Sequence, residues 1–361
     1  YIYSNAGEGE STTDLVFGGH NLIAENGTIL AESKRFENGI IYSEIDVNRL
    51  MSERRKNTTF KTAKERTLTR VPFDIEITET ELTRVFPSRP FVPSENRERA
   101  KRCEEILTIQ AMGLKKRLEH THAKCAVVGI SGGLDSTLAL LVTAKAFDAL
   151  GLDRKHIISV TMPCFGTTDR TYNNACKMSL SLGAELREVP IAAAVMQHFK
   201  DIGHDPEDHS VTYENSQARE RTQVIMDIAN ANGGMVIGTG DMSELALGWA
   251  TYNGDHMSMY GVNASVPKTL VRHLVQYYAD TTDDKELQEV LYDVLDTPVS
   301  PELLPPKDGK IAQKTEDLVG PYELHDFFLY YFLRFGYAPS KIYRIAKYSF
   351  AGEYDDETIY K

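Results

Sequence analysis

The chain has 361 residues, of which 42% are apolar and 25% are charged. This composition excludes intrinsic disorder and a collagen-like structure, and it predicts one to three globular domains with a sizeable core. The net charge of −12 argues against broad, sequence-independent binding to nucleic acid or to an anionic membrane. No uninterrupted apolar run reaches the ~18 residues of a membrane span, so we expect no membrane partner.

The cysteines and the amino terminus bear on the cellular compartment. The chain starts at Tyr1 without a signal-peptide pattern, and we interpret this start as a fragment boundary. The cysteines are scattered and form no CxxC pair, which predicts neither a zinc site nor a disulfide framework and favours a reducing, cytoplasmic compartment. They are Cys103, Cys125, Cys164 and Cys176.

The first predicted elements are β-strands. Two apolar runs flank Asn26-Gly27, a pair that favours positive φ at both central turn residues and therefore predicts a two-residue hairpin. A third strand is predicted over residues 40–47, and Asn48 is the candidate cap of a short helix that follows.

A polar segment rich in proline, residues 55–94, has the composition of a linker. After it, strands alternate with helices, which is typical of βαβ units in a parallel sheet. Beyond about Pro267 amphipathic helices take over. The predicted strands cover residues 125–130, 156–162 and 235–237, and the predicted helices include residues 94–120, 324–335 and 340–348.

A glycine-rich segment, residues 131–137, lies between a predicted strand and a helix predicted from Leu138. Glycines let the backbone approach an anion, and the start of the helix points unpaired N–H groups at it, so the segment is predicted to bind phosphate. It lacks the GxxxxGK[ST] pattern of a Walker loop. Its pattern Ser-Gly-Gly-x-Asp-Ser resembles the PP-loop of ATP pyrophosphatases, which cut ATP between the α and β phosphates.

Three later segments extend the resemblance: Met-Pro-Cys-Phe-Gly-Thr at residues 162–167, an N-x-x-A-R-x-R pattern within residues 214–221, and Gly-Thr-Gly-Asp-Met-Ser-Glu at residues 238–244. In this order they are similar to NAD synthetase, specifically the glutamine-dependent enzyme with an N-terminal amidase domain. The resemblance implies an α/β fold, a Rossmann-like parallel sheet with helices on both faces as in the adenine nucleotide alpha hydrolases, preceded by a partial, β-rich nitrilase-like segment.

The resemblance implies amidation of nicotinic acid adenine dinucleotide to NAD: ATP converts the nicotinate carboxylate to an adenylate with release of pyrophosphate, and ammonia then displaces AMP. Such chemistry needs Mg²⁺ held by carboxylates and positive groups on the phosphates. We assign Asp135 and Glu244 as Mg²⁺ ligands, and by resemblance Lys268 neutralises the pyrophosphate. The implied ATP contacts also include Ser131, Gly132, Gly133, Ser136, Met162, Arg219, Thr239 and Ser300, and the implied dinucleotide contacts are Asn215, Asp255 and Glu316.

The resemblance also divides the chain. Residues 1–60 are expected to be the remnant of a nitrilase-like glutaminase domain, residues 61–94 the linker, and residues 95–361 a synthetase domain cut short at its carboxyl end. The amidase nucleophile cannot be placed, because no cysteine precedes Cys103. We therefore expect ammonia from glutamine only in the complete enzyme, and by resemblance a homo-oligomer. The polar tract at residues 305–315 is predicted to be a loop that closes over the site.

Other interpretations compete with this one. Another PP-loop enzyme, such as a GMP synthetase or a tRNA-modifying enzyme, would share the phosphate loop, but the tRNA enzymes need a basic surface. A nucleotide-binding module without turnover would also keep the loop, whereas an amidase acting on small amides lacks its nucleophile. For single residues, Asp135 could simply cap a helix and Glu244 could be a solvated carboxylate.

Overall fold

A computed structural model describes residues 1–10, 14–59, 69, 71–76, 78–93, 96–305 and 315–361, with residues 96 and 97 described by their backbone. The chain forms two compact units, one made of Tyr1–Pro87 with Tyr330–Lys361 and the other of Ser88–Leu329. Within the described ranges, no helix has both the length and the apolar character that crossing a bilayer requires.

The predicted hairpin is confirmed in the first unit. Asn26 has a φ of 48° and Gly27 a φ of 83°, the positive values that a two-residue turn needs. The turn joins two antiparallel strands, and a short third strand pairs with the first of them, giving the order β1-β2-β3. These strands are β1 (Ile2–Tyr3), β2 (Leu22–Glu25) and β3 (Thr28–Glu32).

The strand predicted over residues 40–47 is wrong. Residues 40–46 form no regular element, and the short helix α1 (Val47–Lys56) begins at the last residue of the predicted strand. Apolar alternation there has no core to face, since Ile40 and Tyr42 are largely exposed. The cap of α1 is Asp46 rather than Asn48, because the Asp46 carboxylate accepts a hydrogen bond from the Arg49 N–H at 3.0 Å.

In the segment with linker composition, residues 71–76 and 78–87 contain neither helix nor strand, whereas Arg55 and Lys56 belong to the end of α1. Residues 60–68, 70, 77 and 94–95 of the predicted linker lie outside the described part. The predicted domain boundaries at residues 60 and 94 concern the family's modules and stay a prediction.

The second unit contains the predicted parallel sheet, with the strand order β6-β5-β4-β7-β8 and every pair parallel. A short 3₁₀ turn, Arg154–His156, precedes β5. The elements of this unit are α2 (Asn96–Thr121), β4 (Ala126–Gly129), α3 (Leu134–Leu150), β5 (Ile157–Thr161), α4 (Asp169–Ser181), β6 (Glu185–Glu188), α5 (Ala192–Ile202), α6 (Val211–Asn232), β7 (Met235–Gly238), α7 (Met242–Leu247), β8 (Tyr260–Gly261), α8 (Lys268–Thr281), α9 (Lys285–Asp296), α10 (Thr315–Val319) and α11 (Tyr322–Leu329).

Apolar side chains on both faces of the sheet explain the continuous apolar runs of its strands. Val127 and Val236 belong to a core that α5 and α6 complete, whereas Val128 and Ile237 belong to the opposite core with α2, α3, α4, α8 and α9. From β4 the chain first builds one side of the sheet through β5 and β6, and then crosses to β7 on the other side. The crevice between the carboxyl ends of β4 and β7 is therefore the topological switch point, where α/β sheets bind ligands.

The strands β4, β5 and β7 and the carboxyl-terminal helices were predicted within a few residues. The helix predicted over residues 324–335 is divided into α11 and a π-helical turn, Tyr330–Phe335, and α12 (Pro339–Ser349) matches the next prediction. A last short helix, α13 (Asp356–Tyr360), follows. Residues 306–314 of the predicted closing loop lie outside the described residues.

Candidate active site

The shape of the loop after β4 depends on Gly132. This residue has a φ of 82°, and a Cβ placed on it would lie 2.1 Å from the carbonyl oxygen of Thr171. Because a side chain fits neither the backbone conformation nor the space, the position requires glycine. The tight turn brings Ser131 and Ser136 together, with their Oγ atoms 3.2 Å apart, and Ser131 Oγ accepts a hydrogen bond from the Gly133 N–H at 3.2 Å.

Helix α3 starts immediately after this turn, four residues earlier than predicted. Its N-cap is Gly133, and no side-chain hydrogen bond caps the helix. The first N–H groups of this 17-residue helix are thus available to an anion, and the positive end of the helix dipole points the same way. Asp135 lies in the first turn of α3, at the edge of the same loop.

The segment after β7 supplies two more carboxylates. Asp241 is fully buried and caps α7, because its Oδ1 accepts a hydrogen bond from the Glu244 N–H at 2.8 Å. Capping leaves the other Asp241 oxygen, Oδ2, free to face away from the helix. Glu244 lies in the first turn of α7 and is half-buried.

The Lys268 ammonium joins the three carboxylates. Its Nζ lies 2.7 Å from Asp135 Oδ2, 2.8 Å from Asp241 Oδ2 and 2.8 Å from Glu244 Oε1. The Lys268 side chain is only 4% exposed, and its Nζ lies 5.1 Å from the centre of the Tyr322 ring. Three carboxylates around one buried cation leave the group with an excess of negative charge when all are ionised.

Burial and the charges of neighbouring side chains shift the pKa values of Asp241, Glu244 and Lys268. Burial raises the pKa of the Asp241 carboxyl to about 6, although Lys268 opposes the shift. Burial, with repulsion from Asp135, raises the pKa of Glu244 to about 8. Burial alone would lower the pKa of Lys268, but the three carboxylates outweigh it and hold that pKa well above its ordinary value.

The three carboxylates also fit a divalent cation. Asp135, Asp241 and Glu244 each offer an oxygen, and these atoms all lie within 4.8 Å of one another. Asp135 Oδ1 is buried and has no hydrogen-bond partner within the described residues, as expected of an oxygen left for a ligand. Hard divalent cations prefer such oxygen donors.

A cavity of about 230 Å³ opens beside these groups at the carboxyl ends of the strands. It brings together predicted residues from the phosphate loop, from the end of β5, from the β7–α7 segment and from the segment at residue 300. The predicted residues that line it are Ser131, Asp135, Ser136, Met162, Thr239, Glu244, Asp255 and Ser300.

Other predicted residues do not line the cavity. Gly132 and Gly133 shape the loop, and Lys268 lies behind the carboxylates. Arg219 is exposed, and its Nε donates to the Tyr252 carbonyl at 3.1 Å. Asn215 Oδ1 accepts a hydrogen bond from Thr251 Oγ1 at 2.9 Å.

Glu316, the third predicted dinucleotide contact, is exposed at the start of α10. Its Oε1 accepts a hydrogen bond from the Tyr322 N–H at 3.0 Å and so fixes the first turn of α11. It therefore lies beside the ring that contacts Lys268.

Among the residues at the site that the sequence did not predict, three carry a carboxylate or a guanidinium group: Asp241, Arg221 and Glu302. Asp241 lies three residues after the end of β7, within the segment that the sequence already singled out, but its approach to Lys268 depends on the tertiary structure. Arg221 lines the cavity two residues after Arg219, and Glu302 lines it two residues after Ser300.

Glu302 connects the wall of the cavity to the phosphate loop. Its Oε2 accepts a hydrogen bond from Thr171 Oγ1 at 3.0 Å, and the Thr171 carbonyl is the group that packs against Gly132. Burial raises the pKa of the Glu302 carboxyl to about 7, opposed by Thr171 and by nearby Arg221. The backbone of Glu302 has a positive φ of 50° and packs against Gly166.

Comparison with known proteins identifies the family of the chain. The family model described as NAD synthase matches residues 106–347. The glutamine-dependent NAD(+) synthetase of Mycobacterium leprae is 43% identical over 95% of this chain and 53% of its own length. This chain spans about half the length of the curated relatives that it matches.

Solved structures show the same fold. A glutamine-dependent NAD(+) synthetase from Cytophaga hutchinsonii aligns with a TM-score of 0.57 and 17% identity over 95% of this chain and 53% of that one. The NMN synthetase from Francisella tularensis aligns with a TM-score of 0.54 and 22% identity over 68% of this chain and 92% of that one. With the family model matching well over half of its residues, the chain belongs to the NAD synthase family.

Proposed function

We propose that this chain carries the ATP-dependent amidation of nicotinic acid adenine dinucleotide to NAD, through an adenylate, with AMP and pyrophosphate as the other products. Family membership and the names of the relatives support this reaction. The single observation that carries it is the meeting of an uncapped helix start with three carboxylates and a buried lysine. In the complete enzyme we propose glutamine as the source of the ammonia.

The phosphates of ATP would lie on the loop after β4. Ser131 and Ser136 line the cavity beside the uncapped start of α3, and their hydroxyls and the first N–H groups of the helix would donate to phosphate oxygens. Thr239, from the end of β7, adds a hydroxyl on the opposite side of the crevice. Such donors hold the leaving pyrophosphate in line and stabilise its charge.

Asp135, Asp241 and Glu244 would hold Mg²⁺. When bound, the ion supplies charge neutralisation for the triphosphate and for the pyrophosphate that leaves it. Lys268 would also neutralise phosphate charge, because its ammonium stays protonated among the carboxylates and adds a positive charge near the phosphates. Asp135 connects the two parts of the site, because it lies next to the phosphate loop and its carboxylate is one of the three that would hold the ion.

The nucleotide parts of the two substrates would occupy the rest of the cavity. Met162, which follows β5, and Ser300 both line the cavity, and Met162 would border the adenine of ATP. For the dinucleotide we propose Asp255, which lines the cavity, with Asn215 and Glu316 at its margin. Arg221 replaces Arg219 as our candidate for a cationic contact with substrate, because Arg221 lines the cavity and Arg219 does not.

The test is the variant Asp135→Asn, with Asp148→Asn as the matched control. Asp148 lies on the same helix, but its carboxylate pairs with Arg154 on the surface. We expect Asp135→Asn to lower pyrophosphate release from ATP and the dinucleotide by at least 100-fold while circular dichroism stays unchanged. Retained activity would remove Asp135 from the site, and equal losses in both variants would point to general damage instead.

The remaining proposals concern assembly and compartment. We propose a homo-oligomer in the cytoplasm, as the family resemblance implies. Light scattering of the purified protein tests the oligomeric state, and a monomer at all concentrations would contradict the proposed homo-oligomer.

A further inference from the structure

A buried carboxylate outside the cavity, Asp326 on α11, holds the starts of two other helices. Its Oδ2 accepts hydrogen bonds from the Thr269 N–H at 2.8 Å and from Thr269 Oγ1 at 2.6 Å. Its Oδ1 accepts a short hydrogen bond from Ser243 Oγ. Asp326 is 1% exposed, so its carboxylate is shielded from water.

The start of α8 needs this help because of its own sequence. Its N-cap is Pro267, which has no side-chain group to accept the first N–H groups of the helix. Ser243 Oγ accepts the Lys268 N–H at 2.9 Å, and Asp326 accepts the next N–H, that of Thr269. Residues from α7 and α11 therefore cap α8 in place of its own N-cap residue.

This arrangement fixes the backbone positions of Glu244 and Lys268, which form an ion pair at the candidate site. Ser243 directly precedes Glu244 on α7, and Lys268 is the first residue of α8. One carboxylate, through one hydroxyl, thus links the backbones that carry Glu244 and Lys268. Lys268 Nζ and Glu244 Oε1 lie 2.8 Å apart, and this distance depends on how the starts of α7 and α8 are held together.

We propose that Asp326 is a positioning residue for pyrophosphate departure, which holds Lys268 and Glu244 in register without touching either substrate. This inference rests on the proposed function. It also makes a structural claim that does not need turnover: without Asp326, the Lys268 side chain leaves its shielded place among the carboxylates.

The first experiment measures kinetics of Asp326→Asn, which keeps the size of the side chain and removes its charge. We expect kcat for AMP formation to fall at least tenfold, with KM for ATP and for the dinucleotide within about threefold of the wild type. The control is Asp284→Ala, which removes the carboxylate that caps α9 away from the cavity. Equal kcat values for Asp326→Asn and the control would overturn the proposal.

The second experiment measures acetylation of Lys268 by a water-soluble acetyl ester that reacts with amines, read by mass spectrometry, in the absence of nucleotides. We expect Lys268 to react at least fivefold faster in Asp326→Asn than in the wild type or in Asp284→Ala. Unchanged protection would overturn the positioning role. This readout still decides that role if the wild type forms no AMP, an outcome that would overturn the proposed function.

A variant that leaves Asp326 in place guards against misfolding. Ser243→Ala removes the hydroxyl between Asp326 and the Lys268 N–H. We expect the same two effects in the same direction, lower kcat and faster labelling of Lys268. A folded Ser243→Ala variant with wild-type values in both measurements would contradict the proposed link.

Discussion

At the scale of single residues, the phosphate loop depends on the lack of a side chain at Gly132. Two costs would follow from a Cβ at that position: the strain of a positive φ, and the collision with the Thr171 carbonyl. Gly203, which ends α5 with a φ of 73°, has open space around it and would suffer the first cost alone. Alanine substitutions at the two glycines can therefore distinguish the cost of a positive φ from the cost of the collision with Thr171.

We expect Gly203→Ala to lower the free energy of unfolding by about 1 kcal/mol, the usual cost of placing alanine in the left-handed region. Gly132→Ala should lower it further and should weaken ATP binding at least tenfold, because the loop has to move away from Thr171. Urea unfolding and calorimetric titration with ATP measure the two effects. Equal unfolding free energies and unchanged ATP affinity in Gly132→Ala would contradict this account.

Glu302 gives the chain a pH dependence whose sign follows from its raised pKa. Between about pH 4.5 and pH 7 the folded state keeps a proton on Glu302 that the unfolded chain has lost. Over that window Glu302 lowers the free energy of unfolding as the pH rises, by up to about 1.4 kcal/mol per pH unit. Above pH 7 the carboxyl is ionised in both states and its cost stays constant.

The variant Glu302→Gln removes this titration and keeps an acceptor for Thr171. We expect the variant to gain stability relative to the wild type as the pH rises from 5 to 7, in urea unfolding at matched ionic strength. Parallel profiles for the two proteins over that range would show that Glu302 titrates normally.

At the scale of elements, α6 presents its two motif arginines to different surroundings. Residues two positions apart on a helix point about 200° apart, so both arginines of the N-x-x-A-R-x-R pattern cannot face one cavity. Arg221 lines the cavity, whereas Arg219 reaches the Tyr252 carbonyl on the surface.

We expect Arg221→Ala to raise KM for ATP or for the dinucleotide at least tenfold, because it removes a cation from the cavity wall. Arg219→Ala, on the same helix, serves as the matched control and should change both KM values less than threefold. Steady-state kinetics with each substrate varied in turn measure this. A larger effect from Arg219→Ala would restore the prediction made from the sequence.

The elements also show what the sequence could predict. Residues 125–130 and 235–237 were predicted as strands because both faces of the sheet are buried, which makes their apolar runs continuous. The edge strand β6 (Glu185–Glu188) was missed because three of its four residues are charged and its side chains are not fully buried. The strand predicted over residues 40–47 failed for the converse reason, an apolar pattern without a core to face.

For the site, sequence reasoning predicted residues whose role is local to a motif. Asp135 and Glu244 stand at fixed places after a strand, and the structure brings them within reach of one cation. Asp326 lies 57 residues beyond Thr269 in the chain, and only the packing of α11 on α7 and α8 brings it to the start of α8. Spacing along the chain carries no signal for such a contact.

At the scale of the whole molecule, the order β6-β5-β4-β7-β8 places the candidate site. Strands β5 and β6 lie on one side of β4 and strands β7 and β8 on the other, which opens one crevice at the carboxyl ends of β4 and β7. The phosphate loop and Asp135 follow β4, whereas Asp241 and Glu244 follow β7. The negative net charge of the chain is compatible with the proposed binding of an anionic nucleotide, because the cavity has positive groups of its own: the start of α3 and Arg221.

The most direct test of the proposed reaction is product analysis. The purified chain would be incubated with nicotinic acid adenine dinucleotide, ATP, Mg²⁺ and ammonium chloride, and the nucleotides separated by chromatography. We predict that AMP and NAD form in equal amounts and only when the dinucleotide is present. Release of ADP and phosphate, or of AMP without NAD, would contradict the account.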